Sequence, residues 1–193
     1  MITYIGISGR NDIPRFLNEE GLTGEGVEIG THRGVYAEFI LNNWRGRRLN
    51  CVDPWNDSPA YADQVHTLAG GPDQIDAKRE AYGRLYYNPR CRILPYTSAD
   101  SVQFFDDNSL DFVYIDGNHK LDFIMEDLTL WYPKVKPGGY VFGHDIICPG
   151  EKDGGWGAEI QPAVMTFTML KLLDFSLIPD GIEPWSFAIR KPV

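Results

Sequence analysis

Residues 110–146 read "LDFVYIDGNHKLDFIMEDLTLWYPKVKPGGYVFGHDI". An apolar run, "LDFVYID", ends in Asp116, and Gly117, Asn118 and His119 follow at once. A helical pattern then runs through "DFIMEDLTLWYPKV" until Pro133 and "KPGG" stop it. A second apolar run, "YVFGHDI", closes on His144 and Asp145. Strand, helix, strand is the repeating unit of a doubly wound α/β fold. Apolar runs this continuous belong to strands buried on both faces. The stretch also carries a chemical signal. A rigid strand delivers Asp116, and a tight turn at Gly117 and Asn118 can aim His119 back over the same sheet edge.

The alternation continues outward. Upstream, "IPRFLNEEGL" has helical spacing with Ile13, Phe16 and Leu17, and "GVEIG" is a short strand running into Gly30. "GVYAEFILNNW" is a helix with Val35, Phe39 and Trp44 as inward candidates, and "RLNCVD" is a strand ending in Asp53. Residues 54 to about 88 are the least regular part, with Pro and Gly breaks around helical pieces such as "DQIDAKREAYGRLYY". "CRILPY" is a further strand and "SADSVQFF" a short helix. Downstream, a Gly-rich loop "CPGEKDGGWG" leads into the helix "IQPAVMTFTMLKLL", and the strands "FSLIPD" and "SFAIR" flank a short turn. Two strands so close must pair antiparallel. The expected architecture is a Rossmann-like, mainly parallel seven-stranded sheet with one antiparallel strand and helices on both faces, a single domain over 1–193.

In such sheets ligands bind beyond the carboxyl ends of the strands, where the strand order reverses. Four of the first five expected strands place a carboxylate there: Asp53, then Asp100 beside Ser98, then Asp116, then Asp145. The remaining one carries "VEIGTHRG", where Gly30 can admit a ligand to the backbone and Gly34 opens the helix. Its G-x-x-x-G spacing is neither the dinucleotide fingerprint nor a phosphate loop with its lysine. Glu28, inside that strand, needs a donor or a cation if it is buried, and capping its own loop would also satisfy it. Asp53 is placed to accept from a ribose diol, or to form the turn before Pro54.

Composition narrows the class. The chain has 193 residues, 43% apolar and 23% charged, with net charge −9. An acidic chain argues against a nucleic-acid partner, since phosphate backbones are gripped by clustered positive charge. Its one basic cluster, Arg45, Arg47 and Arg48, reads as a solvated helix end. Cys51, Cys91 and Cys148 form no C-x-x-C pair, so they read as thiols of a reducing compartment. "MITYIGISGR" lacks the basic flank and apolar run of a signal peptide, and no stretch is apolar enough to span a bilayer. A cytoplasmic protein with no membrane partner is expected. A homo-oligomer stays open.

Taken together, "GVEIGTHRGVYAEFIL", "LNCVDPW" and the 110–146 stretch resemble the class I S-adenosylmethionine-dependent methyltransferases, closest to the small macrocin-type O-methyltransferase-like group. The resemblance spans roughly residues 12 to 190. It implies that Glu28, Gly30, Thr31 and Gly34 wrap the methionine part of the cofactor, that Asp53 holds the ribose, and that Ser98 and Ala99 flank the adenine. It also implies that Asp116 borders the cofactor and, with Asp145, binds a divalent metal, and that His119 is the catalytic base. His144 stands where metal-binding relatives often have an acid. With His144 as a third ligand the expected ion is Mg²⁺ or Mn²⁺; imidazole suits Mg²⁺ poorly, which shifts the preference toward Mn²⁺ or a softer ion.

The implied reaction is O-methylation of a small hydroxylated metabolite, a sugar or related molecule. An alcohol is a weak nucleophile; metal coordination and an imidazole base would activate it. His119 could instead cap or pack the following helix, and His144 with Asp145 could order a loop. Trp55, Tyr61, His66 and Trp156 are candidates for a lid and acceptor pocket, or for loop packing. Phe112, Tyr114, Phe123 and Trp131 are assigned to the core. A non-catalytic S-adenosylmethionine-binding module is the alternative function, and a nicotinamide oxidoreductase is disfavoured by the glycine spacing.

Overall fold

In the computed structural model, which describes residues 2–3, 5–55, 72–147 and 158–193, the expected apolar runs pair into one sheet. The strands are β1 (Ile2–Thr3), β2 (Glu25–Ile29), β3 (Arg48–Val52), β4 (Cys91–Leu94), β5 (Leu110–Ile115), β6 (Val135–Ile147), β7 (Phe175–Asp180) and β8 (Glu183–Arg190). Their order is β1-β7-β8-β6-β5-β2-β3-β4. The seven expected strands are present, and β1, a two-residue edge strand parallel to β7, is added to them. Strand β8 runs antiparallel to both β6 and β7, the one reversed strand the sequence implies. From β2 the chain proceeds to β3 and β4 on one side and later to β5 and β6 on the other, so the order reverses between β2 and β5. That reversal opens the crevice.

Period-two alternation along the strands feeds two cores. Val27, Ile29, Val113 and Ile115 face one side, where they meet helices α5 (Leu121–Trp131) and α6 (Ile160–Lys171) through Leu128, Trp131 and Val164. Leu49, Phe112, Tyr114 and Phe142 face the other, against α1 (Ile13–Glu19), α2 (Val35–Asn43) and α3 (Pro72–Leu85). On α2 the inward residues are Tyr36, Ala37, Ile40 and Leu41, while Val35 is exposed and Phe39 half-buried. The stripe is therefore rotated by one residue from the one expected. Trp44, just past α2, is buried as expected: its indole meets Phe112 edge-on at 4.9 Å and donates to the Leu22 carbonyl at 2.7 Å. Phe112, Tyr114 and Trp131 are core residues, and Phe123 is half-buried. No helix among the described residues is long and apolar enough to cross a membrane.

Asp127 is a buried carboxylate with no cation beside it among the described residues. Asp127 on α5 accepts the Ser98 hydroxyl, and Ser98 Oγ accepts the Trp131 indole N–H at 2.8 Å. Burial pushes Asp127 up to about 7. A folded-state value above the ordinary 3.8 means that the folded chain holds this proton more tightly than the unfolded one. Asp127 therefore contributes full stability at low pH and loses it as pH rises from about 4 to about 7. Asp127→Asn keeps an acceptor for Ser98 without the charge. It is expected to raise the melting temperature at pH 8, by up to about 4 kcal/mol of stability. The gain should shrink as pH falls toward 4. Thermal melts of both chains across that range check it, and a pH-independent difference would refute it.

Candidate active site

The β2–α2 loop is shaped by close approach. The Gly30 and Thr31 N–H groups donate to the Val52 carbonyl at 2.9 and 3.3 Å, and Asp116 N–H donates to the Ile29 carbonyl at 2.8 Å. These bonds draw the ends of β2, β3 and β5 together. Gly30 sits at φ +88°, and a Cβ there would lie 1.9 Å from the Asp116 carbonyl oxygen. Gly34, at φ +73°, opens α2. Asp53 ties the loop down: its two carboxylate oxygens accept from His32 N–H and Trp55 N–H, each at 2.8 Å. The Trp55 indole donates to the His32 carbonyl at 2.8 Å, so Trp55 packs and fixes this loop. Burial raises the Asp53 pKa although both backbone bonds favour its charge. Each oxygen can still accept a further bond, so the turn role and a diol-binding role are compatible.

Beside this loop lies a cavity of about 440 Å³ lined by Arg10, Glu28, Gly30, Thr31, Tyr36 and Asp116, among others. Glu28 is 2% exposed, and its Oε2 and the Thr31 hydroxyl have no hydrogen-bond partner among the described residues. Burial pushes Glu28 up to about 8; the Thr31 hydroxyl, near Glu28 but without a bond of good geometry to it, opposes the shift, and the charge of Asp116 reinforces it. Orphaned buried polar atoms are costly unless something fills the cavity and bonds them.

At the neighbouring strand ends the acids and imidazoles converge. His119 Nε2 is 3.3 Å from Asp145 Oδ2 and 3.9 Å from Asp116 Oδ1. His144 Nδ1 is 3.0 Å from Asp145 Oδ1 and 3.9 Å from Asp116 Oδ1. Asp145 holds φ at +58°, a left-handed conformation inside the irregular end of β6. Such backbone strain in a non-glycine residue concentrates at functional sites. Burial opposes the His119 charge, yet the neighbouring carboxylates of Asp116 and Asp145 raise its pKa. Burial likewise opposes the Asp145 charge, but His144, His119 and Arg10 hold it below the usual carboxylate range. At the start of helix α5, Asn118 accepts from Lys120 N–H at 2.9 Å and Glu159 accepts from Leu121 N–H at 2.8 Å. Donor atoms of Asp116, His144 and Asp145 all lie within 4.8 Å of one another, a spacing that can hold a metal ion.

The structure thus gathers Glu28, Gly30, Thr31 and Asp116 around one cavity, with Asp53 and Gly34 in its framework and His119, His144 and Asp145 adjoining through Asp116. Ser98 and Ala99 start helix α4 (Ser98–Ser101) at the next strand end. The Ser98 hydroxyl is turned inward to Asp127 and Trp131, and Ala99 is exposed. Asp100 is engaged with Thr97, whose hydroxyl caps α4 by accepting from Asp100 N–H at 3.0 Å. Tyr61, His66, Trp156 and Cys148 lie outside the described residues. Sequence reasoning missed Arg10 and Tyr36. Arg10 reaches Asp116 Oδ2 at 3.7 Å and lies over the Tyr36 ring at 5.0 Å. A lone arginine in "SGRND" has no periodicity to reveal it; only the folded chain brings it to the crevice.

The sheet order and the strand-end crevice define a Rossmann-like methyltransferase fold, which solved structures share. An O-methyltransferase from Bacillus cereus in complex with SAH superposes with a TM-score of 0.61 at 15% identity, over 94% of this chain and 80% of that one. The O-methyltransferase TomG from Streptomyces achromogenes, in complex with SAM, gives 0.57 at 17% identity, over 94% and 79%. Residues 27–146 match the family model described as "Methyltransferase domain", and the chain belongs to that family. The protein R132 of Acanthamoeba polyphaga mimivirus is 26% identical over 142 residues, 72% of this chain. The chain spans 56% of the length of that relative.

Proposed function

We propose that this protein is an S-adenosylmethionine-dependent O-methyltransferase of the macrocin-type group, acting on a small hydroxylated metabolite, a sugar or related molecule, with divalent-metal assistance. The observation that carries the reading is the position of Asp116. It lines the cavity that holds the orphaned Glu28 and Thr31 atoms, and it also stands within 3.9 Å of both His119 and His144. A cofactor pocket and an acid–imidazole cluster therefore share one side chain. A small-molecule acceptor fits the chain's net charge of −9, which disfavours nucleic acid.

The residues suit the groups they would hold. An amino-acid ammonium would satisfy Glu28 and Asp116, and a ribose diol would reach Asp53. Two carboxylates and one imidazole favour Mn²⁺ over Mg²⁺, with Asp116, His144 and Asp145 as ligands. When bound, the cofactor supplies an activated methyl group and the ion lowers the pKa of an acceptor hydroxyl. The chain's own residues do the rest. Gly30 lets the loop backbone close on the ligand, and Asp53 fixes the loop through His32 and Trp55. Asp145, 3.3 Å from His119 Nε2, orients the ring, the other ring nitrogen takes the acceptor's proton, and Asp145 stabilises the imidazolium that results. Alignment of acceptor and donor provides the remaining acceleration.

Binding tests the reading directly. S-adenosylhomocysteine should raise the melting temperature, and Mn²⁺ should raise it further. Asp53→Ala should weaken S-adenosylhomocysteine at least about tenfold by calorimetry. It should also lower the melting temperature, because His32 N–H and Trp55 N–H lose their acceptor. Unchanged affinity would remove Asp53 from the site. Binding with no methyl transfer to any of a panel of sugars would favour the non-catalytic module instead.

A further inference from the structure

The cavity beside the β2–α2 loop is lined by both signs of charge. Glu28 and Asp116 form its acidic wall, and Arg10 lines it too, 3.7 Å from Asp116. Arg33 also lines the cavity, but its guanidinium is paired with Glu80 on α3. A ligand group matching such a space carries an ammonium and a carboxylate a few ångströms apart, as an α-amino acid does. The acidic wall answers the ammonium, which leaves the carboxylate to be answered.

Arg10 is built to do this. Its backbone N–H donates to Asp180 Oδ2 at 3.2 Å, at the β7 end. Its carbonyl accepts the Tyr36 hydroxyl at 2.7 Å, and its guanidinium lies over the Tyr36 ring at 5.0 Å. Gly9, the preceding residue, packs so tightly on Asp180 that a Cβ would lie 2.7 Å from its Oδ1. The segment is thus clamped across the strand ends, and the ordering of a long side chain is met by the fold rather than by the ligand. The ion pair of Arg10 with Asp116 is long, at 3.7 Å, with the side chain 35% exposed. A guanidinium has five donors in a planar fork that fits a carboxylate. Entry of an ammonium beside Asp116 would supply that acid with a new cation and release Arg10 to a carboxylate, so no buried charge is left alone.

We infer that Arg10 is the specificity-determining residue for the amino-acid end of the cofactor, holding its carboxylate opposite Glu28 and Asp116. The inference rests on the S-adenosylmethionine reading of the cavity, and the experiment separates the two. Calorimetry on the full chain compares S-adenosylhomocysteine with 5′-methylthioadenosine, which keeps the adenosine and sulfur but lacks the amino-acid end. Arg10→Ala should weaken S-adenosylhomocysteine roughly 10- to 100-fold while leaving 5′-methylthioadenosine unchanged. Arg10→Lys should recover part of the loss. If Arg10→Ala does not fold, Arg10→Gln, which keeps a stem packed on Tyr36, is read by the same ratio. Equal losses for both ligands, or no loss for S-adenosylhomocysteine, would overturn the role of Arg10 while the cofactor reading stands. Failure of the unaltered chain to bind either ligand would overturn the cofactor reading itself.

Discussion

A Gly30→Ala chain is expected to lose cofactor binding outright and at least about 4 kcal/mol of stability, a magnitude reserved for severe backbone conflicts. The new Cβ would lie 1.9 Å from the Asp116 carbonyl oxygen, 2.4 Å from its carbon and 2.7 Å from Gly117 Cα. All three are backbone or alpha-carbon atoms, so no side chain can swing away. Neither strand end is free to retreat, because Gly30 N–H is bonded to Val52 and Asp116 N–H to Ile29. The φ of +88° adds strain for any L side chain. Gly34→Ala is the internal control. Its φ is also positive, at +73°, but its nearest neighbours are Leu85 Cδ1 at 3.0 Å, a flexible side-chain end, and Ala81 Cα at 3.2 Å, contacts that ease with shifts of a few tenths of an ångström. Gly34→Ala should therefore melt well above Gly30→Ala. Thermal melts and S-adenosylhomocysteine calorimetry on both chains measure the contrast. A Gly30→Ala chain that melted with the unaltered protein would show that β2 and β5 do not meet this closely in solution.

The second large effect is on metal affinity. Asp145→Asn should weaken Mn²⁺ at least roughly 100-fold, since losing a direct ligand costs no less than losing a supporting hydrogen bond around one. Asparagine tolerates the left-handed region better than other residues, so the φ of +58° survives and the change isolates the charge. S-adenosylhomocysteine affinity should hold, because Asp145 is not among the residues lining the cofactor cavity. Mn²⁺ titration by electron paramagnetic resonance, set beside calorimetry with S-adenosylhomocysteine, gives both readouts. Unchanged Mn²⁺ affinity would dismiss the metal site. Equal losses of metal and cofactor would mean that the two do not occupy separable places around Asp116.

Much of the site was legible because strand ends are legible. Asp53, Asp116 and Asp145 each close an apolar run, and the topology of a parallel sheet brings such ends to one edge. His119 follows Asp116 by three positions, and a turn that short keeps it near. Other roles were hidden in the same letters. Ser98 and Asp100 also follow a strand end, but Ser98 turns inward to Asp127, and Asp100 closes the cap of α4 with Thr97. Which way a side chain leaves a helix start depends on what packs behind it. The alternatives left open for Asp53 resolve only in part: it does form the turn, through Trp55 N–H, and its remaining acceptor capacity faces the reading as a ribose ligand. Strand β1 was invisible because two residues at an edge carry no periodicity.

Hydrophobic periodicity and glycine placement, which are local properties, determined from the sequence alone that this chain forms a mainly parallel sheet with one reversed strand and acidic residues at its strand ends. Tertiary structure alone decided that Arg10 crosses to that edge, that Glu28 Oε2 and the Thr31 hydroxyl are buried with no partner among the described residues, and that Asp116 borders both the cavity and the imidazole cluster. The physical reason is range. Periodicity reports which face a residue turns toward, whereas Arg10 reaches the site through contacts with Tyr36 and with Asp180, 170 residues away along the chain, that no local pattern encodes.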